Sequence, residues 1–156
     1  IVYKYDIIER NKIMIYETFS EEETKELGRK IASKAQKGDI YCLIGDLGVG
    51  KTAFAKGLAK GLDIKEAITS PTFTVVNEYQ GRLPLYHFDV YRITDIDEME
   101  EIGYEEYFYG DGICLIEWAD MIEELIPDNA IWINIIKDLD KADNYRKIII
   151  ENKKEM

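Results

Sequence analysis

The chain contains one histidine, His87, two cysteines, and no apolar run near the eighteen or so residues of a membrane span. A lone histidine excludes a multi-histidine metal site. Cys42 and Cys114 fall inside apolar, strand-like runs without C-x-x-C spacing, so they read as small buried hydrophobes rather than zinc ligands or a disulfide. Basic charge is also short: 20 Lys and Arg stand against 31 Asp and Glu, a formal net charge of −11. A protein that neutralises many nucleic-acid phosphates normally carries a basic face, so strong direct RNA or DNA binding is not expected. Charged residues through Tyr3 to Lys12 leave no signal-peptide core, and the expectation is a soluble, cytoplasmic protein. Internal repeats and low-complexity stretches are lacking.

What the chain does have is 156 residues, 46% hydrophobic and 33% charged, enough for one domain with an ordinary core. Its most informative segment runs Gly45-Asp46-Leu47-Gly48-Val49-Gly50-Lys51-Thr52, a match to G-x-x-x-x-G-K-[ST]. The segment sits between an apolar run, Ile40 to Ile44, and a helix-like stretch from Ala53 to Leu62. In that context the glycines let successive N–H groups curl towards phosphate oxygens, and the first helical turn adds unpaired donors and the positive dipole end. Lys51 is expected to reach β- and γ-phosphates and Thr52 to ligate Mg²⁺. The residues from Gly45 to Ala53 are therefore the candidate nucleotide cradle.

Local patterns predict alternating elements around this loop. Ile13 to Phe19 reads as a strand, Ser20 with Glu23 as a capping box, and Thr24 to Ala35 as an amphipathic helix. Phe73 to Tyr79 and Leu83 to Asp89 are β-rich runs around Gln80-Gly81-Arg82, which predicts a hairpin. Glu98 to Ile102 reads as a short helix stopped by Gly103. Ile113 to Glu117 reads as an apolar strand, followed by a short helix towards Leu125. Ala130 to Ile136 and Tyr145 to Glu151 read as closing strands. Helices between strands, with hairpins, predict an α/β, P-loop NTPase-like mixed sheet flanked by helices. Residues 1–13 read as an N-terminal extension of a domain that Met14 opens. The acidic runs Glu21 to Glu26 and Asp95 to Glu106 read as solvated helix faces, with an acidic docking surface as the alternative.

A phosphate-binding loop needs an acidic group at the end of a neighbouring strand, and two segments offer one. Ile113-Cys-Leu-Ile-Glu117 is the stronger Walker B pattern; Tyr86-His-Phe-Asp89 also ends in a carboxylate. Between these and the loop lies Thr69-Ser70-Pro71-Thr72, whose hydroxyls suit a γ-phosphate switch.

Gly45 to Thr52, Ser70-Pro71-Thr72-Phe73-Thr74, Tyr86-His87-Phe88-Asp89-Val90-Tyr91-Arg92 and Ile116-Glu117-Trp118 together resemble the TsaE (YjeE) family from about Phe19 to the final strand. The resemblance implies a weak P-loop ATPase of the bacterial tRNA threonylcarbamoyladenosine pathway, using ATP and Mg²⁺ and working with the TsaD and TsaB proteins. It gives Lys51 and the loop amides the phosphates, Thr52 and Glu117 the magnesium, and Asp89 an essential acidic role. Lys51, Asp89 and Glu117 become the catalytic set, and Ser70, Thr72, Thr74 and Trp118 the switch or partner loop. In the family a basic residue of the closing strand flanks the nucleotide base; here Asn144-Tyr145-Arg146 departs from its Gly-Arg pattern. Ala119 follows Trp118 where many relatives carry proline.

Three rival readings have sequence consequences. A GTPase should offer N-K-x-D, whereas Asn152-Lys-Lys-Glu155 ends in Glu after the last strand. A small-molecule kinase usually closes an arginine-bearing lid, and the only arginines after the loop are Arg82, Arg92 and Arg146. A non-catalytic, nucleotide-gated interaction module is the more serious alternative, because so small a chain cannot house both ATP and a large acceptor.

Overall fold

The structure, a computed structural model, describes residues 1–8, 11–46, 48–71 and 73–152. Among these residues eight strands form one mixed sheet. In chain order they are β1 (Val2–Ile8), β2 (Asn11–Thr18), β3 (Ile40–Ile44), β4 (Val76–Tyr79), β5 (Leu85–Asp89), β6 (Ile113–Glu117), β7 (Ile131–Ile136) and β8 (Arg146–Asn152). Across the sheet they lie β1-β2-β8-β7-β3-β6-β5-β4. The four central strands, β7, β3, β6 and β5, are parallel, while β4 on one side and β8, β2 and β1 on the other pair antiparallel. β3 and β6 lie at the centre, and their near-continuous apolar sequences suit strands buried on both faces.

Helix α1 (Glu21–Ser33) begins where the capping box directs it: Ser20 Oγ accepts the Glu23 N–H at 3.1 Å. The reciprocal Glu23 carboxylate accepts from Phe19 N, one residue before the cap. At the other end Arg82 donates to the carbonyls of Ala32, in the last turn, and Ala35, just beyond it, at 2.9 and 3.3 Å. Helix α2 (Lys51–Gly61) packs directly against α1, and this approach depends on glycine. A Cβ on Gly57 would lie 1.9 Å from the Lys25 carbonyl oxygen, and one on Gly28 would lie 2.5 Å from that of Phe54. Both helices cover one sheet face over a core that includes Leu27, Phe54, Leu58, Leu43, Leu115 and Ile133.

The opposite face carries α3 (Asp97–Ile102), α4 (Tyr104–Phe108) and a 3₁₀ helix over Ala119–Leu125, packed on Phe88, Cys114 and Ile116. Cys42 and Cys114 are free and buried, as expected. Burial raises both thiols' pKa values, that of Cys114 to about 12. No helix of the described residues is long and apolar enough to cross a membrane.

Several boundaries differ from the sequence expectation. The extension read at residues 1–13 contains β1 and the start of β2, joined in antiparallel register from Val2 opposite Glu17 to Ile8 opposite Asn11. The first β-rich run narrows to Val76–Tyr79, because Val75 takes φ +68 and donates its N–H to the Pro71 carbonyl, closing a turn. The hairpin itself forms, with Tyr79 opposite Leu85. Gly103 stops α3 in the left-handed region at φ +78 and leads straight into α4.

Candidate nucleotide site

Period-two geometry builds the acidic half of the site. Parallel pairing of β5 with β6 puts Asp89 opposite Glu117, and residues two apart on a strand share a face. Leu85, His87 and Asp89 thus project to the same side as Leu115 and Glu117, the side covered by α1 and α2. β3 ends beside them and turns through the glycine loop, with Gly45, Gly48 and Gly50 at φ +151, +75 and +111. A Cβ on Gly45 would meet the Ile135 carbonyl oxygen at 2.7 Å, so that close backbone passage requires glycine.

These parts line a cleft of about 440 Å³ at the C-terminal ends of the parallel strands, the usual ligand position in open α/β sheets. The P-loop side supplies Gly48, Gly50, Lys51, Thr52 and Ala53. Gly50 caps α2 without a side chain, leaving the first-turn N–H groups towards the cleft. Across it stand Asp89, Glu117, Trp118 and Ser70.

Lys51 is buried, and its Nζ donates to the Gly45 carbonyl at 2.8 Å while lying 3.6 Å from the centre of the Trp118 ring. Burial lowers its pKa, opposed by the charges of Glu117, Asp89, Asp120 and Asp46. Trp118 has a left-handed backbone, φ +63, and packs against Tyr91 at 4.7 Å between ring centres, the rings tilted by 44°. It lines the cleft and packs against the core on the far face of the sheet. Asp89 Oδ1 accepts the Tyr91 N–H at 3.0 Å, and the Asp89 N–H donates to the Val75 carbonyl at 2.9 Å. The latter bond ties the Pro71–Val75 turn to the acidic strand end.

Not every candidate reaches the cleft. Thr74 is exposed and donates to Asn77 Oδ1 at 2.8 Å, holding the turn outside the lining. Asp46 is exposed, and its carbonyl takes the Val49 N–H, so that amide closes the loop on itself. Leu47, Thr72 and Lys153 to Glu155 lie outside the described residues.

Arg146, from β8, does line the cleft: its Nε donates to the Val49 carbonyl at 2.6 Å, bracing the loop from the far side. Asn144 accompanies it, and the start of α1 contributes Ser20, Glu21 and Thr24. His87 went unselected by sequence reasoning; its Nε2 lies 2.7 Å from Glu117 Oε2, with the ring 2% exposed. Its signal was available in the two-residue spacing from Asp89.

The donor set fits a hard cation bound together with phosphates. A hydroxyl and two carboxylates offer oxygen only, and the described residues contain no group of three or more His, Cys, Asp or Glu that could hold a metal by themselves. Magnesium characteristically combines one or two such ligands with phosphate and water.

A glycine loop running from a central parallel strand into a helix N-terminus, opposite strand-end carboxylates, places the molecule in the P-loop NTPase-like α/β class. The profile of the threonylcarbamoyl adenosine biosynthesis protein TsaE matches residues 18–148. The tRNA threonylcarbamoyladenosine biosynthesis protein TsaE of Bacillus subtilis is 45% identical over 146 residues, covering 93% of this chain and 91% of its own. Its counterpart from Treponema pallidum is 42% identical over 116 residues, 74% of this chain and 86% of its own. The crystal structure of Bacillus subtilis YdiB superposes with a TM-score of 0.77 at 41% identity, covering 92% of this chain and 88% of that one. The chain belongs to the TsaE family, whose members carry the name of tRNA threonylcarbamoyladenosine biosynthesis.

Proposed function

We propose that the chain is a Mg²⁺-dependent ATPase of weak intrinsic turnover that serves threonylcarbamoyladenosine modification of tRNA in the cytoplasm, through a complex with the TsaD and TsaB proteins. The observation that carries this reading is the convergence of Lys51, the first turn of α2, Asp89 and Glu117 on one cleft.

Lys51 brings positive charge to the β- and γ-phosphates, for which it leaves the Gly45 carbonyl and the Trp118 face. The α2 N-terminus and the loop amides bind the same oxygens, and the Arg146 bond to Val49 keeps that loop in shape. Thr52 and Glu117 would hold Mg²⁺, which supplies Lewis-acid charge to the transferring phosphoryl group. Asp89, opposite Glu117 across the strand pair, would take the essential acidic role, orienting the attacking water. The glycine loop supports triphosphate binding generally, and the absence of an in-place guanine-reading motif favours ATP over GTP.

Action through partner proteins is supported by the surface beside the cleft. Phe73 is 84% and Tyr91 47% exposed, and the Arg92 guanidinium lies 4.6 Å from the Phe73 ring centre. Tyr91 touches Trp118, so an aromatic surface adjoins the site where the γ-phosphate acts. A kinase lid finds no support: Arg82 caps α1, Arg92 stacks on Phe73 and Arg146 braces the loop.

The decisive experiment measures ATP hydrolysis by the pure chain alone and with TsaD and TsaB. Slow turnover alone and a clear change with the partners are expected; failure to bind MgATP, or partner affinity identical in the apo, ADP and ATP-analogue states, would refute the reading. With a net charge of −11, the isolated chain should bind tRNA negligibly at physiological salt. Tight, salt-sensitive tRNA binding would instead assign it a direct role on the RNA.

A further inference from the structure

We infer that His87 is a positioning residue for the nucleotide site, donating its Nε2–H to Glu117 and thereby fixing the carboxylate that faces the metal. The proposal rests on the MgATP reading above and adds a residue to it. Three observations carry it. The Nε2 to Oε2 distance is 2.7 Å, between side chains 2% and 11% exposed. A carboxylate can only accept, so the ring proton of this bond sits on Nε2. The other nitrogen, Nδ1, is buried and has no hydrogen-bond partner among the described residues.

That orphaned nitrogen argues for purpose. The position follows Leu85 on the inward face of β5, where an apolar side chain would leave nothing unsatisfied. A histidine there accepts one unpaired polar atom in exchange for a single directed bond, and the partner of that bond is Glu117. Lys51 does not provide this service, since its Nζ is engaged with the Gly45 carbonyl and the Trp118 ring. Asp89 works against it: directly across the strand pair, its carboxylate repels that of Glu117. The bond from His87 reaches Glu117 from within the sheet layer, two residues deeper along β5. It commits Oε2 and sets the plane of the carboxylate, as the outer partners of metal ligands do.

The test uses the whole chain and the variants His87→Gln, whose amide nitrogen can still donate, and His87→Leu, which cannot. Binding of ATP is titrated calorimetrically with and without Mg²⁺, and unfolding is followed for each variant. For His87→Leu, metal-free ATP binding should stay unchanged, while the Mg²⁺ concentration needed for half-maximal tightening should rise about ten- to a hundredfold. His87→Gln should recover most of that loss. A Leu variant with wild-type Mg²⁺ dependence, or a Gln variant as impaired as Leu despite cooperative unfolding, overturns the proposal.

One further readout needs no variant and no nucleotide. His87 is the only histidine, so ¹⁵N labelling of histidine gives its two ring signals without ambiguity. In mildly alkaline buffer Nε2 should be the protonated nitrogen and Nδ1 the bare one; the opposite tautomer refutes the bond even if MgATP binds. Failure of the unmutated chain to bind MgATP instead defeats the nucleotide reading itself, and the metal role of His87 with it.

Discussion

Replacing Gly57 by alanine sets two opposite effects against each other, and the structure decides between them. Gly57 lies inside α2, where alanine normally stabilises a helix by about 0.5–1 kcal/mol through reduced backbone entropy in the unfolded chain. Here the new methyl would arrive 1.9 Å from the Lys25 carbonyl oxygen and 2.7 Å from its carbon. The obstacle is the backbone of α1, so no rotamer change relieves it. One helix must retreat by more than an ångström, opening contacts around Leu27, Phe54 and Leu58 along the seam. Overpacking costs about 1–3 kcal/mol and occasionally more, and a backbone clash this close belongs at the upper end, so after the helix gain the net effect is a loss of roughly 2 kcal/mol or more. At about 2–4 °C per kcal/mol for a chain of this size, the midpoint should fall by several degrees. Urea and thermal unfolding of the two proteins measure it. Because α1 also brings Ser20, Glu21 and Thr24 to the cleft, MgATP affinity should weaken in parallel. A Gly57→Ala protein as stable as the parent, or more so, would show that the helices do not meet at this distance.

Lys51→Ala should abolish MgATP binding or hydrolysis while the chain still unfolds cooperatively, since Arg146, the other cation of the cleft, is engaged with the Val49 carbonyl; unaltered single turnover would exclude Lys51 from the phosphates. Glu117→Gln should still bind nucleotide but hydrolyse it about tenfold to a thousandfold more slowly, the range for one positioned electrostatic group. If Asp89→Asn damages Mg²⁺-dependent binding more, the roles of the two carboxylates are exchanged. The thiols of Cys42 and Cys114, buried and with raised pKa values, should resist a thiol reagent in the native protein at mildly alkaline pH and react together in denaturant. Rapid native labelling of either would refute their burial.

The legible parts of this molecule were those written locally. The apolar run of β3, the glycine loop and the following helix form one short segment, and the Ser20–Glu23 box marks the start of α1 within four residues. β1 was missed because residues 1–13 were read as an extension outside the domain, although Tyr3-Lys4-Tyr5-Asp6-Ile7 alternates as a strand does; its pairing with β2 is a tertiary fact. The turn at Val75 reads locally as strand, since a β-branched residue at φ +68 contradicts its propensity and is held there by bonds to Pro71 and from Asp89. The site divides the same way. Lys51, Asp89 and Glu117 announce themselves by motif, whereas Arg146 reaches Val49 only because β8 returns beside β7, 97 residues along the chain from the loop it braces.

That return of β8 bears on how the molecule folds. β8 is an interior strand, hydrogen-bonded to β2 on one side and β7 on the other. Until it inserts, the β1–β2 hairpin has no seam joining it to the parallel strands, and the loop between β3 and α2 lacks its Arg146 tether. The seam between β2 and β8 is one of the longest-range pairings in the chain, and its formation carries the loop-closure entropy of such pairings. A nucleotide that binds this cleft would recognise only molecules whose sheet has closed, and would hold them closed in proportion to its affinity.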